Sequence, residues 1–231
     1  MAKSPNQQNL FATPILLGKI EDEEMRSALE EAILARRSEH PGLNRSNTGG
    51  GWHSDVDLMR WGGESARKLL NQVLRLVARS TTDVKGVDGA TLTWRVEAWA
   101  NVNEKGGANA RHVHGGCYWS VVYYVRVDED TASDLVLFDP RMPTLAMHAP
   151  HLRFRNAGGE REMHIKPHAG LLVAFPSWLA HEVEPSKGKG LRISIAINLT
   201  ANPSGRRQPA LKAETGAAKA AAIAQPAKET T

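Results

Sequence analysis

Residues 106–124 read GGANARHVHGGCYWSVVYY, and at the centre stand His112 and His114, two residues apart in an apolar, β-branched and aromatic setting. A β-strand repeats its side-chain direction every two residues, so both imidazoles are expected on one face. Two neutral imidazoles from one strand supply two-thirds of a metal site, and the third ligand has to come from another part of the chain. His181, in FPSWLAHEVEP, is the candidate, and the segment GLRISIAINL beyond it carries Arg192 and Ser194. The connection at 185–190 is expected to turn the His181 strand back on the Arg192 strand as an antiparallel pair. Arg192 and Ser194 then share a face by the same two-residue period. A guanidinium facing a barrel interior is costly unless an anion meets it. No acid stands in its strand, so a ligand carboxylate held bidentately is the expected partner.

Working outward, short β-type runs separated by Gly, Pro, Asp and Asn extend from about 91 to 200. They fall at 92–102, 110–114, 118–127, 135–138, 152–155, 163–165, 171–175, 180–183 and 191–199, a pattern that argues for an all-β sandwich or barrel. Before them, 10–20 contains Pro14 and suits an edge strand. Residues 21–38 form a helix by periodicity (Met25, Leu29, Ala32, Ile33), with acids at its start and Arg36-Arg37 at its end. A second helix is expected over 63–80, with Ala66, Leu69, Leu70, Val73 and Val77 as its core stripe. Between the helices, the polar segment 44–61, centred on SNTGGGWHSD, reads as a connector or as a loop over a site mouth that brings Trp52 or His53 to a substrate. Residues 1–90 are thus read as integral to one domain, 91–200 as its core, and 201–231 as a disordered Ala/Lys-rich tail.

Charge and composition exclude several classes. The net charge is +4, and the tail carries Arg206, Arg207, Lys212, Lys219 and Lys228 against Glu214 and Glu229, so the folded part is nearly neutral. A nucleic-acid face is therefore not expected. No apolar run reaches membrane-spanning length, and the N-terminal residues lack a signal-peptide core. A single cysteine, Cys117, leaves no internal disulfide and points to a reducing compartment, the cytoplasm. Cys117 is expected to face away from the histidines as a small hydrophobe. Of the nine histidines, His40, His53, His148, His151, His164 and His168 are read as surface or loop residues.

Trp99-x-Asn101, Gly106, Asn109-x-x-His112-x-His114, the run from Ser120 to Tyr124, Phe138-Asp139-Pro140-Arg141, Gly170, Phe175-Pro176-Ser177-Trp178, His181 and Arg192-x-Ser194 together resemble the 2-oxoglutarate/Fe(II)-dependent oxygenases of bacteria and phages, and more distantly the prolyl 4-hydroxylase branch. The resemblance covers roughly 91–200. It implies a double-stranded β-helix, the jelly-roll or cupin-like barrel, with the N-terminal helices outside and the ligand and basic strands facing each other from opposite sheets. It implies Fe(II) and 2-oxoglutarate as cofactors, with His112 and His181 on the metal and Arg192, assisted by Ser194, on the distal carboxylate. Asn109 and Tyr124 are implied near the cosubstrate. The expected reaction is hydroxylation of a small-molecule or peptide substrate, with 2-oxoglutarate and O2 converted to succinate and CO2; a homodimer is left open. One position departs from the pattern: His114 stands where most of these enzymes have Asp. His114 is taken as the third ligand, with Asp139, Glu97 or water as alternatives. A three-histidine dioxygenase without 2-oxoglutarate and a non-catalytic metal-binding barrel remain the rival readings. Arg141 is expected either on an anionic substrate or on a neighbouring acid.

Overall fold

The computed structural model describes residues 10–84, 92–131, 133–141 and 161–202. The strand expected at 152–155, His148, His151 and nearly all of the tail lie outside the described residues. Among these residues eleven strands and three helices follow one another as β1 (Leu16–Lys19), α1 (Glu23–Glu39), β2 (Asn47–Thr48), β3 (Trp52–His53), α2 (Leu58–Trp61), α3 (Gly63–Arg79), β4 (Thr93–Asn103), β5 (Ala108–His112), β6 (Trp119–Val127), β7 (Leu135–Phe138), β8 (Glu162–Ile165), β9 (Leu171–Pro176), β10 (His181–Val183) and β11 (Arg192–Asn202). They build two antiparallel sheets, ordered β1-β9-β6-β11-β4-β3 and β2-β5-β10-β7-β8. The protein is a double-stranded β-helix. Its first strands are woven into both sheets: β1 pairs with β9, β2 with β5 and β3 with β4.

Two apolar layers explain which way the strands face. Helix α1 starts at Asp22, whose carboxylate accepts the Met25 amide at 3.0 Å, and buries Met25, Leu29 and Ile33. Helix α3 buries Ala66, Leu69, Val73 and Val77. These residues cover the outer face of the six-stranded sheet, where Ala98, Ala100, Val102, Ile193, Ile195, Ile197 and Leu199 complete one core. With the alternate residues of β4 and β11 so covered, the others point between the sheets: Trp99, Asn101 and Asn103 from β4, and Arg192, Ser194 and Asn198 from β11. A second apolar cluster, including Leu135, Leu137, Val173, Phe175 and Leu179, fills the rest of the interior.

Two expectations are corrected here. His181 and Arg192 do not lie on a hairpin: β10 pairs with β5 and β7, and β11 pairs with β4 and β6. The intervening chain crosses from one sheet to the other. Its amides at Lys189 and Gly190 donate to the Asp130 carboxylate (2.9 and 3.1 Å), and that of Leu191 donates to Asp128 (2.8 Å). Side chains of the β6–β7 connection thus do what a hairpin ladder was expected to do. Nor is 44–61 a loose connector. It contains β2, β3 and α2, with Trp52 and His53 both buried. Gly42, at φ +79°, permits this fold-back; a Cβ there would lie 2.6 Å from both the His53 carbonyl and the Trp52 indole nitrogen.

Candidate metal centre

His112 ends β5, and His181 opens β10 directly opposite it in register. His114 lies two residues beyond β5, where its amide donates to the Ser177 carbonyl at 3.0 Å. The ring centroids are 4.3 Å apart for His112 and His181, 4.8 Å for His112 and His114, and 5.1 Å for His114 and His181. One ligating atom from each of the three falls within 4.8 Å of the others, and this group contains no carboxylate. The nitrogens are prepared for a cation. His112 Nδ1 lies 2.6 Å from the Ala110 carbonyl and His181 Nδ1 lies 2.9 Å from that of Leu179. A proton on each Nδ1 leaves each Nε2 lone pair free. Burial, reinforced by the charges of His112 and His53, pushes His114 down to about 4. Burial and the charge of His112, opposed by the bond to Leu179, push His181 down to about 3. Both rings are neutral at physiological pH, the form a metal requires.

The same cavity holds Arg192, which is 1% exposed. Its Nη1 donates to Ser194 Oγ at 3.4 Å and its Nη2 to the Tyr124 hydroxyl at 3.2 Å, while Nε is buried with no partner. Its Cζ lies 4.9 Å from the centroid of the Tyr124 ring. Among the described residues no carboxylate pairs with this cation. Isolated buried charge is costly, so this arrangement suits a site completed by an anionic ligand.

The other sequence-predicted residues fall as follows. Asn109 lines the cavity, but its amide is engaged by Asn103 (3.3 Å) and Ser46 (3.4 Å) rather than by Arg192. Asp139 accepts from Arg141 at 2.7 Å, the neighbouring-acid contact expected for Arg141. Glu97 lies 3.8 Å from Arg95. Cys117 accepts a weak bond from Thr200 at 3.6 Å, away from the three rings.

Several lining residues had no assigned role in the sequence. Asn101, Asn198 and Ser120 all border the cavity, and the side-chain Oδ1 atoms of Asn101 and Asn103 are buried without partners among the described residues. The available signal was the alternation Trp99-x-Asn101-x-Asn103, a polar period-two face opposed by Ala98, Ala100 and Val102. His53, expected at the surface, is buried and stacks on Trp99 with centroids 5.3 Å apart and planes at 13°. A second gathering of ligand-type atoms, Asp134, His164 and Glu184, lies at the β7–β8 edge. There the Glu162 hydrogen bond, helped by Glu184 and Asp134, raises the His164 pKa.

A jelly-roll barrel with imidazoles gathered on one inner wall and a buried cation in the same cavity can hold a metal ion beside an anionic ligand. Residues 97–198 match the family model described as "Putative 2OG-Fe(II) oxygenase". No curated protein sequence matches the chain significantly. Among solved structures it is similar to a Trichoplax adhaerens prolyl hydroxylase in complex with a hypoxia inducible factor oxygen degradation domain peptide fragment (16% identity, TM-score 0.58, 80% of this chain and 83% of that one). It is also similar to a Pseudomonas putida prolyl-4-hydroxylase (18%, 0.58, 86% and 96%). A third is HygX from Streptomyces hygroscopicus with nickel and 2-oxoglutarate bound (13%, 0.54, 81% and 83%). At such identities the likeness bears on the fold.

Proposed function

We propose that His112, His114 and His181 hold the Fe(II) of this oxygenase and that Arg192 grips the distal carboxylate of 2-oxoglutarate, in an enzyme that hydroxylates a small-molecule or peptide substrate. The observation that carries the proposal is the meeting of three neutral imidazoles and an uncompensated guanidinium in one cavity. Bound Fe(II) with 2-oxoglutarate supplies the oxidising power, coupling O2 reduction and decarboxylation to succinate and CO2 with oxidation of the second substrate.

The chain's own groups bind and orient. Arg192 offers its Nε–H and a remaining proton on each Nη, a fork that fits a carboxylate bidentately. Ser194 and Tyr124 accept from the two Nη atoms and hold the fork in place. Burial raises the Tyr124 pKa against the opposing effect of Arg192, which keeps the phenol protonated. Asn109, fixed by Asn103 and Ser46, forms the cosubstrate side of the wall. The Nδ1 contacts of His112 and His181 fix their rings, and Phe175 packs against His181 at 4.8 Å and keeps water from it. The imidazole at 114 carries one negative charge fewer than a carboxylate, and the 2-oxoglutarate dianion makes up the balance.

No helix among the described residues is long and apolar enough to cross a membrane. We place the enzyme in the cytoplasm on its single cysteine, acting on a small molecule or peptide rather than on nucleic acid, as a monomer or homodimer. The test is CO2 release from 1-labelled 2-oxoglutarate by the purified protein. Release that requires added Fe(II) and yields stoichiometric succinate is expected. Iron-loaded protein that leaves 2-oxoglutarate intact, with or without candidate substrates, would overturn the proposal.

A further inference from the structure

The three imidazoles are not held alike. Those of His112 and His181 are each tied through Nδ1 to a carbonyl two residues back. The ring of His114 has no hydrogen-bond partner among the described residues, and its backbone lies beyond the strand, one residue before Gly115-Gly116, with Gly116 at φ +81°. Its amide bond to Ser177 fixes the backbone rather than the ring. Apart from the rings of His112 and His181, the aromatic ring it packs against is Trp99, edge-on, with centroids 5.6 Å apart and planes at 64°.

Trp99 is in turn fixed from behind. The His53 ring lies flat against it, and His53 is 4% exposed with Nδ1 at 2.6 Å from the Ser54 carbonyl. Strand β3 is pinned to β4 beside this stack: His53 pairs with Asn101, the Ser54 amide donates to the Ala100 carbonyl at 2.9 Å, and the Ala100 amide donates to Ser54 Oγ at 2.9 Å. Two flat rings wedged between paired strands form a rigid stop, and edge-on aromatic packing is directional.

We infer that Trp99, backed by His53, is the positioning residue that sets the ring of His114 and so completes the metal face. The inference rests on His114 being a ligand, as proposed above. It gives a purpose to the Trp-His pair of the SNTGGGWHSD segment: Trp52 anchors the turn through its indole N–H to the His40 carbonyl (3.0 Å), and His53 braces the metal site at second hand.

The test uses Co(II) alone, added anaerobically to the full chain, with affinity and the visible d–d spectrum as readouts. Groups that orient a metal ligand typically change affinity by about 10- to 100-fold when removed. Trp99→Leu is expected to weaken Co(II) by about that factor and alter the band, Trp99→Phe to stay near the parent, and His53→Leu to fall between. In a His114→Ala background, Trp99→Leu should weaken Co(II) no further, because the ring it positions is gone. Unchanged affinity and spectrum in Trp99→Leu, or a loss repeated in full in the His114→Ala background, would overturn the inference. Should Trp99→Leu show no cooperative melting, the same comparison with His53→Leu decides it. Parent-like Co(II) binding by His114→Ala alone would instead remove His114 from the metal and take the inference with it.

Discussion

Arg192 shows how a single residue reveals a binding site. A cation buried this deeply, with Nε unpartnered, weakens the ligand-free protein and is repaid only when an anion arrives. Arg192→Met, similar in length and apolar, should therefore hold or raise the melting midpoint of the ligand-free protein. It should also abolish the rise in midpoint that 2-oxoglutarate produces in the parent. Loss of a charge-assisted pair is worth about 3 kcal/mol, or about a hundredfold in Kd. Metal content, which depends on other residues, should be nearly intact. Thermal melts with and without 2-oxoglutarate check both halves; equal ligand-induced stabilisation in Arg192→Met would remove the residue from the cosubstrate site. Arg192→Lys should recover little, since an ammonium lacks the planar fork.

The elements show what a sequence can and cannot disclose. The strands around the site were legible because residue period and turn residues mark them: the expected 118–127 and 191–199 correspond to β6 (Trp119–Val127) and β11 (Arg192–Asn202). The meeting of His112 with His181 was accessible only through spacing and family likeness, because their register is a long-range pairing. The β10–β11 connection was misread because its turn residues fit a hairpin equally well. What decides its course is acceptors distant in sequence, Asp128 and Asp130. The same packing makes a prediction for this crossover. A Cβ at Gly188 would lie 1.9 Å from the Asp130 carbonyl oxygen, a backbone atom that cannot swing aside. Gly188→Ala should cost about 1–3 kcal/mol, seen as a lower denaturant midpoint. A midpoint equal to the parent's would show that the two connections are not packed as described. That Asn101, Asn103 and His53 face the interior is not legible in the sequence, because an inward polar face reads as an outward one until the helices are seen on the other side of the sheet.

At the scale of the molecule, the fold holds imidazoles where protons are unwelcome, and its stability should report this. In the metal-free protein, His181 at about 3 and His114 at about 4 lie below the ordinary 6.5. The unfolded chain therefore binds protons that the folded chain refuses as pH falls below 6.5. Stability should be greatest above that pH and decline toward the folded values, by up to about 1.4 kcal/mol per pH unit for each ring. Urea titrations of metal-free protein between neutral and mildly acidic pH test this. The His114→Ala/His181→Ala variant should show a shallower decline, and an equal slope would contradict the buried, neutral state of the rings. The whole arrangement, iron on three histidines with a 2-oxo acid reaching Arg192, is tested most directly by anaerobic addition of Fe(II) and then 2-oxoglutarate, followed in the visible spectrum. A weak charge-transfer band that saturates at one iron per chain and is lost in His181→Ala is the predicted result; iron bound without any such band, or a band undiminished in His181→Ala, would contradict it.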